Sequence, residues 1–88
     1  MRRDARADKN QPAVANILKA AGCLVIHTHM LGGGFPDLIV RDPFWRIWLI
    51  EVKREGGRLT KLQREFHSEW PVLVVTDGFE ALEEMNLI

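Results

Sequence analysis

The chain of 88 residues has a single cysteine, Cys23, so no disulfide can close within it and a reducing compartment is expected. No apolar run approaches the roughly 18 residues that a bilayer crossing takes, and no membrane partner is expected. The N-terminal MRRDARADKNQ is charged and no apolar signal core follows it, so a cytoplasmic protein is expected. Repeats and low-complexity tracts are also missing. Lys and Arg are absent from residue 65 onward. Residues 1–64 hold all twelve basic residues against six acids, and residues 65–88 hold six acids and no base, so a formal charge of zero hides a +6/−6 division. A basic segment beside an acidic one suits an anionic partner on one face, although a mixed solvated surface gives the same charges.

What is present points to one α/β domain. Residues 1–9 are polar and read as a basic arm carrying Arg2, Arg3, Arg6 and Lys9, with a single domain over 10–88. Asn10 is placed to cap a helix with Pro12 in its first turn, Val14, Ile17, Leu18 and Ala21 at helical spacing, and Gly22 as its stop. CLVIHTH reads as a strand, LGGGFP as a loop, and DLIVR as a second strand broken by DPF. RIWLIEVK is apolar on both faces, which predicts a central strand. TKLQREFHSEW is a helix with Leu59, Leu62, Phe66 and Trp70 along one side; VLVVTD is a fourth strand and GFEALEEMNLI a last helix. The order αβββαβα predicts a mixed four-stranded sheet flanked by helices. Core packing is expected of the tryptophans, Trp45, Trp48 and Trp70, and of Cys23. Domains this small are often completed by self-association, so a homo-oligomer is expected.

The informative anomaly lies in IWLIEVK, the most apolar segment, which carries Glu51 and Lys53. Strand alternation turns both to one face, about 7 Å apart along the strand. A local ion pair at a strand end is one explanation. The preceding strand supplies another. If the two strands form a hairpin through DPFW, Asp37 comes to lie beside Glu51 and Lys53. Two adjacent carboxylates repel unless a cation or proton lies between them. Mg²⁺, commonly held by one or two carboxylates plus phosphate oxygens and water, fits such a corner, and the lysine is then free to orient water or neutralise charge at phosphorus.

Pro36-Asp37, thirteen residues, then Glu51-Val52-Lys53 resembles the PD-(D/E)xK nucleases. The wider pattern GGGFPDLIV…WLIEVKREGGRLTKLQREFHSEW is similar to the VRR-NUC branch, including its small stand-alone, phage-type members. The resemblance implies a restriction-endonuclease-like fold and Mg²⁺-dependent hydrolysis of DNA phosphodiesters, with Mn²⁺ as a substitute. It further implies branched DNA such as a Holliday junction as substrate, a homodimer, and residence in a bacterial or phage-infected cell. Carried over residue by residue, Asp37 and Glu51 ligate the metal with the Val52 carbonyl as a third ligand, Lys53 serves the attacking water, and Gln63 lies over the site. The family usually has a glutamate on the first helix; Gln11 stands in its place, able to ligate through its amide oxygen but bringing no charge. A surface position is the competing explanation for Gln11.

Other residues carry weaker signals. Thr60-Lys61-Leu62-Gln63 is a capping box, which by itself accounts for Gln63. Gly33 and Gly34 allow a phosphate backbone to approach, and Arg54 and Arg58, bracketing Gly56-Gly57, are candidate phosphate clamps. His67 is one helical turn past Gln63 on the same side, placed to touch DNA or the site rim, with an ordinary surface position as the favoured explanation. His27 and His29 lack a third ligand for zinc and read as strand residues, with His29 near phosphate. Two rival functions remain: a nucleic-acid-binding module that does not cut, and a structural domain whose charges pair locally.

Overall fold

The computed structural model describes residues 10–88; the basic arm expected over 1–9 lies outside the described residues. The elements are α1 (Gln11–Ala20), β1 (Leu24–His27), a 3₁₀ turn (His29–Leu31), β2 (Leu38–Arg41), β3 (Ile47–Val52), α2 (Lys61–His67), β4 (Val72–Val75) and α3 (Gly78–Glu84). This is the αβββαβα order that the sequence predicts, with the 3₁₀ turn added. The four strands lie in sequence order; β1, β2 and β3 are antiparallel neighbours, and β4 joins β3 in parallel after the crossover through α2. The mixed sheet with helices is of the restriction-endonuclease-like class, and β3 is central, as its two apolar faces require.

Local chemistry ends the elements where the chain must turn. Helix α1 closes in a Schellman motif: Cys23 N–H donates to Leu18 O and Gly22 N–H to Lys19 O, with Gly22 at φ +92°. The accompanying apolar contact joins Leu18 and Cys23, both in the core, and burial pushes the Cys23 thiol up. One face of the sheet, including Leu38, Val40, Ile50, Val52 and Val75, packs on Val14 and Leu18 of α1 and Ala81 and Leu82 of α3. Truncating a fully buried leucine such as Leu18 or Leu38 to alanine costs about 2–5 kcal/mol. Gly78 lets α3 approach α1, because a Cβ there would meet Ile17 at 2.6 Å. Among the described residues no helix is long and apolar enough to cross a membrane.

The structure revises several expectations. Asn10 precedes α1 but makes no side-chain cap; its Nδ2 instead donates to the carbonyls of Thr76 and Lys53, tying the start of α1 to the ends of β3 and β4. The first strand ends at His27, since Thr28 and His29 turn away. Trp45 is 76% exposed and Trp70 55% exposed, so neither is core. Trp45 takes φ +66° in the β2–β3 hairpin, where its N–H closes a turn on Asp42 O and a left-handed residue brings the chain back to Arg46, whose carbonyl accepts the Asp42 N–H. The Arg41 guanidinium covers its ring at 4.1 Å. Leu62 is also exposed, because α2 lies over the glycine loop rather than over the core.

Candidate active site

Thr28 fastens β1 to the approach of β2. Its N–H donates to Asp37 O and its Oγ1 to Pro36 O, both at 2.7 Å. The β2–β3 register pairs Leu38 with Ile50, so one step further Asp37 stands opposite Glu51. The Asp37 carboxylate accepts the Val52 N–H at 2.8 Å, which fixes it at the end of β3. The hairpin thus gathers Asp37, Glu51 and Lys53, as strand alternation predicts.

Glu51 is buried, at 1% exposure. Its Oε2 accepts from Gln63 Nε2 at 3.0 Å and faces Lys53 Nζ at 3.6 Å, while Oε1 is buried without a hydrogen-bond partner. Burial first, then the charge of Asp37 beside it, push the Glu51 carboxyl up to about 8, against the smaller opposing pull of Lys53. A local ion pair therefore exists but does not satisfy the carboxylate.

Gln63 fulfils both roles suggested for it. Thr60 N–H donates to Gln63 Oε1 at 2.9 Å and Gln63 N–H to Thr60 Oγ1 at 3.1 Å, completing the capping box. With the amide oxygen engaged by the backbone, the amide nitrogen is left to face Glu51. The cap is what aims the side chain.

A cleft of about 530 Å³ opens over these groups, walled by the glycine loop on one side and the start of α2 on the other. Gly34 has a packing reason to be glycine: at φ +85°, a Cβ would lie 2.3 Å from Leu62 O of α2. Gly33, at φ +65°, has open space where its Cβ would point. Phe35 meets Phe66 edge-on at 5.2 Å and holds α2 against the loop. Lys61 and His29 line the cleft. Lys61 carried no sequence signal beyond its place in the capping box.

Other expected residues fall elsewhere. Arg54 and Arg58 are exposed on the loop after β3 and do not line the cleft. His67 is half-buried rather than an open surface residue. Its Nε2 is buried without a partner, and burial, then nearby Lys53, lower its pKa. Gln11 is at 1% exposure, not at the surface. Its Nε2 lies 3.1 Å from His27 Nδ1 and 3.4 Å from His29 Nδ1, and its Oε1 is buried without a partner.

The donor set suits a hard divalent cation. Among the described residues no group of three or more His, Cys, Asp and Glu is placed to hold a metal ion. The site instead offers two carboxylates, Asp37 and Glu51, the latter with one oxygen orphaned, which is the sparse oxygen set Mg²⁺ accepts when water and phosphate complete its shell.

Neither the curated proteins nor the solved structures gave a match to this chain. A family model described as the VRR-NUC domain matches residues 3–69, well over half of the chain and all the residues of the cleft, and the chain belongs to that family of nucleases.

Proposed function

We propose that the protein is a Mg²⁺-dependent endodeoxyribonuclease acting on branched DNA as a homodimer. The observation that carries the metal-dependent reading is Glu51: a buried carboxylate facing Asp37, with one oxygen orphaned and its ionisation opposed by its surroundings. Such a group is under-satisfied without a cation. Asp37, Glu51 and the Val52 carbonyl would hold Mg²⁺ (or Mn²⁺), and the amide oxygen of Gln11 would be a neutral further ligand. The bound cation supplies Lewis-acid polarisation of the phosphate and of water.

The chain's own groups do the rest. Lys53, its ammonium beside Glu51 and its side chain half-buried, orients the attacking water and neutralises charge growing on the phosphorane. Gln63, held by its cap, keeps Glu51 in place. Gly33 admits the phosphate backbone at the open side of the glycine loop. Arg54 and Arg58, exposed on the loop after β3, contact DNA outside the cleft, whereas the buried ring nitrogen of His67 is turned away from such a contact. The dimer is supported by the sheet face turned away from α1 and α3, where Leu24, Ile26 and Ile47 are 60%, 60% and 64% exposed. Symmetric cutting of two strands needs two such sites about a two-fold axis.

The deciding experiment incubates the purified protein with four-way junction, flap, duplex and single strand, with Mg²⁺ and with EDTA. Expected are Mg²⁺-dependent products, most from the junction, and none from Asp37→Ala or Glu51→Ala. Full cleavage by both variants would overturn the site. Gln11 favours a second reading, a module that binds without cutting, since it brings no charge where the family has a glutamate. Junction binding with no product at any Mg²⁺ or Mn²⁺ concentration would select that reading.

A further inference from the structure

We infer that Gln11 and His29 form a phosphate-contacting device in the cleft, in which the Gln11 amide fixes the His29 ring with Nδ1 inward and an Nε2–H donor outward. The inference rests on the cleft being a site for nucleic acid, as proposed above.

Three observations lead to it. The Gln11 amide nitrogen has two hydrogens and faces two ring nitrogens, His27 Nδ1 at 3.1 Å and His29 Nδ1 at 3.4 Å. The side chain is almost wholly buried, so its orientation is decided by its partners and not by water. His29 in turn lines the cleft that holds Asp37 and Glu51.

Counting hydrogen bonds chooses the amide orientation. With Nε2 toward the rings, both hydrogens are accepted and one acceptor, Oε1, is left over. With the amide reversed, Oε1 accepts from two Nδ1–H groups and two buried N–H donors are left over. Orphaned buried donors are rarer and costlier than an under-used carbonyl. An imidazole that accepts at Nδ1 carries its proton at Nε2, on the far side of the ring. His29 lines the cleft, and in the proposed arrangement this donor is on the cleft side of its ring.

The fold holds the ring there. Thr28, one residue before His29, is bonded to both Pro36 and Asp37, which ties this turn to the carboxylate corner, and His29 lines the same cleft as Asp37 and Glu51. An N–H donor at that place suits an anionic, tetrahedral oxygen ligand, a phosphate of the nucleic-acid backbone. An amide at position 11 is what makes this possible, and a glutamate there would not. A carboxylate has no hydrogen to give, so it would accept from both Nδ1–H groups and reverse both rings. His29 is then a binding residue, and Gln11 a positioning residue acting through it.

The test begins with two-bond ¹H–¹⁵N correlation spectra of the wild type, recorded in EDTA well above the ordinary imidazole range. Expected is the Nε2–H tautomer for His29 and His27, with Gln11→Glu shifting both toward Nδ1–H. The second arm measures binding of a short single-stranded oligonucleotide in EDTA, where no metal contributes. His29→Ala should weaken it by about tenfold, as for a lost hydrogen bond to a charged group, while His29→Asn, which keeps a donor, recovers part. Manganese affinity of His29→Ala, read by calorimetry, should stay within twofold of wild type. An Nδ1–H tautomer at His29 in the wild type, or oligonucleotide affinity unchanged in a folded His29→Ala, would overturn the inference. Because neither arm measures cleavage, an inactive enzyme leaves both readouts decisive.

Discussion

The β2–β3 hairpin carries a buried carboxylate at each end, and the two are treated in opposite ways. Asp42, at the turn, is fully buried, yet it accepts from the N–H groups of Phe44 and Arg46, from Arg46 Nε and from Trp48 Nε1. Burial works to raise its pKa, but hydrogen bonds from Trp48, Arg46 and Phe44 outweigh that and hold it at about 2. Glu51, at the open end, has two neighbours on one oxygen, none on the other, and a second carboxylate beside it. Four donors on an acid make a structural joint. A deficit of donors on an equally buried acid makes a place for something else. Burial alone does not distinguish structure from function; satisfaction does.

The sharpest break of this contrast is mutational. Asp42→Ala leaves Arg46 and Trp48 with unmatched donors and frees the Arg46 bond to the Met85 carbonyl from its anchor. It should cost about 3–5 kcal/mol in urea denaturation. Glu51→Gln removes a charge the metal-free site opposes, and should leave stability unchanged or higher in EDTA. Equal losses for both would erase the distinction.

Next in size is the response to cations. A ligand bound only by the native state stabilises it, by about 2.7 kcal/mol at a hundredfold excess over Kd. Mg²⁺ should therefore raise the melting temperature of the wild type and of a mildly destabilised core variant, but not that of Asp37→Asn or Glu51→Gln.

The pH dependence separates the two acids further. Asp42 titrates lower in the folded chain than its ordinary 3.8, so its stabilisation is present above that value. It is lost as pH falls toward about 2, amounting to about 2 kcal/mol. Glu51 titrates higher than its ordinary 4.5, so in EDTA its contribution is present below that value and is lost as pH rises through about 8. Stability curves should lose their acid limb in Asp42→Asn and their alkaline fall in Glu51→Gln. The smallest effect is at the cap: Thr60→Ala should cost about 1 kcal/mol and loosen Gln63, whose amide the cap aims at Glu51.

How much of this was legible in the sequence follows the same contrast. Asp37, Glu51 and Lys53 were readable because alternation along β3 and a short hairpin are enough to bring them together. The αβββαβα order and the central place of β3 followed from apolar periodicity. Asp42 was not readable: Asp-Pro-Phe looks like turn punctuation, and its burial depends on Trp48 and on Arg46 reaching Met85, far along the chain. The contact of Gln11 with His27 and His29 has no periodic signature either, since it joins a helix to a strand end and a 3₁₀ turn. Trp45 looked like core because size and hydrophobicity favour burial, but hairpin geometry needed a left-handed residue and placed it outside.

The most direct measurement is anomalous scattering from a crystal of this protein soaked in manganese. Expected is a peak within coordination distance of both Asp37 and Glu51, with an oxygen of Glu51 that lacks a protein partner among its ligands. A crystal that binds manganese only elsewhere, with the two carboxyl groups sharing a proton, would contradict the central claim.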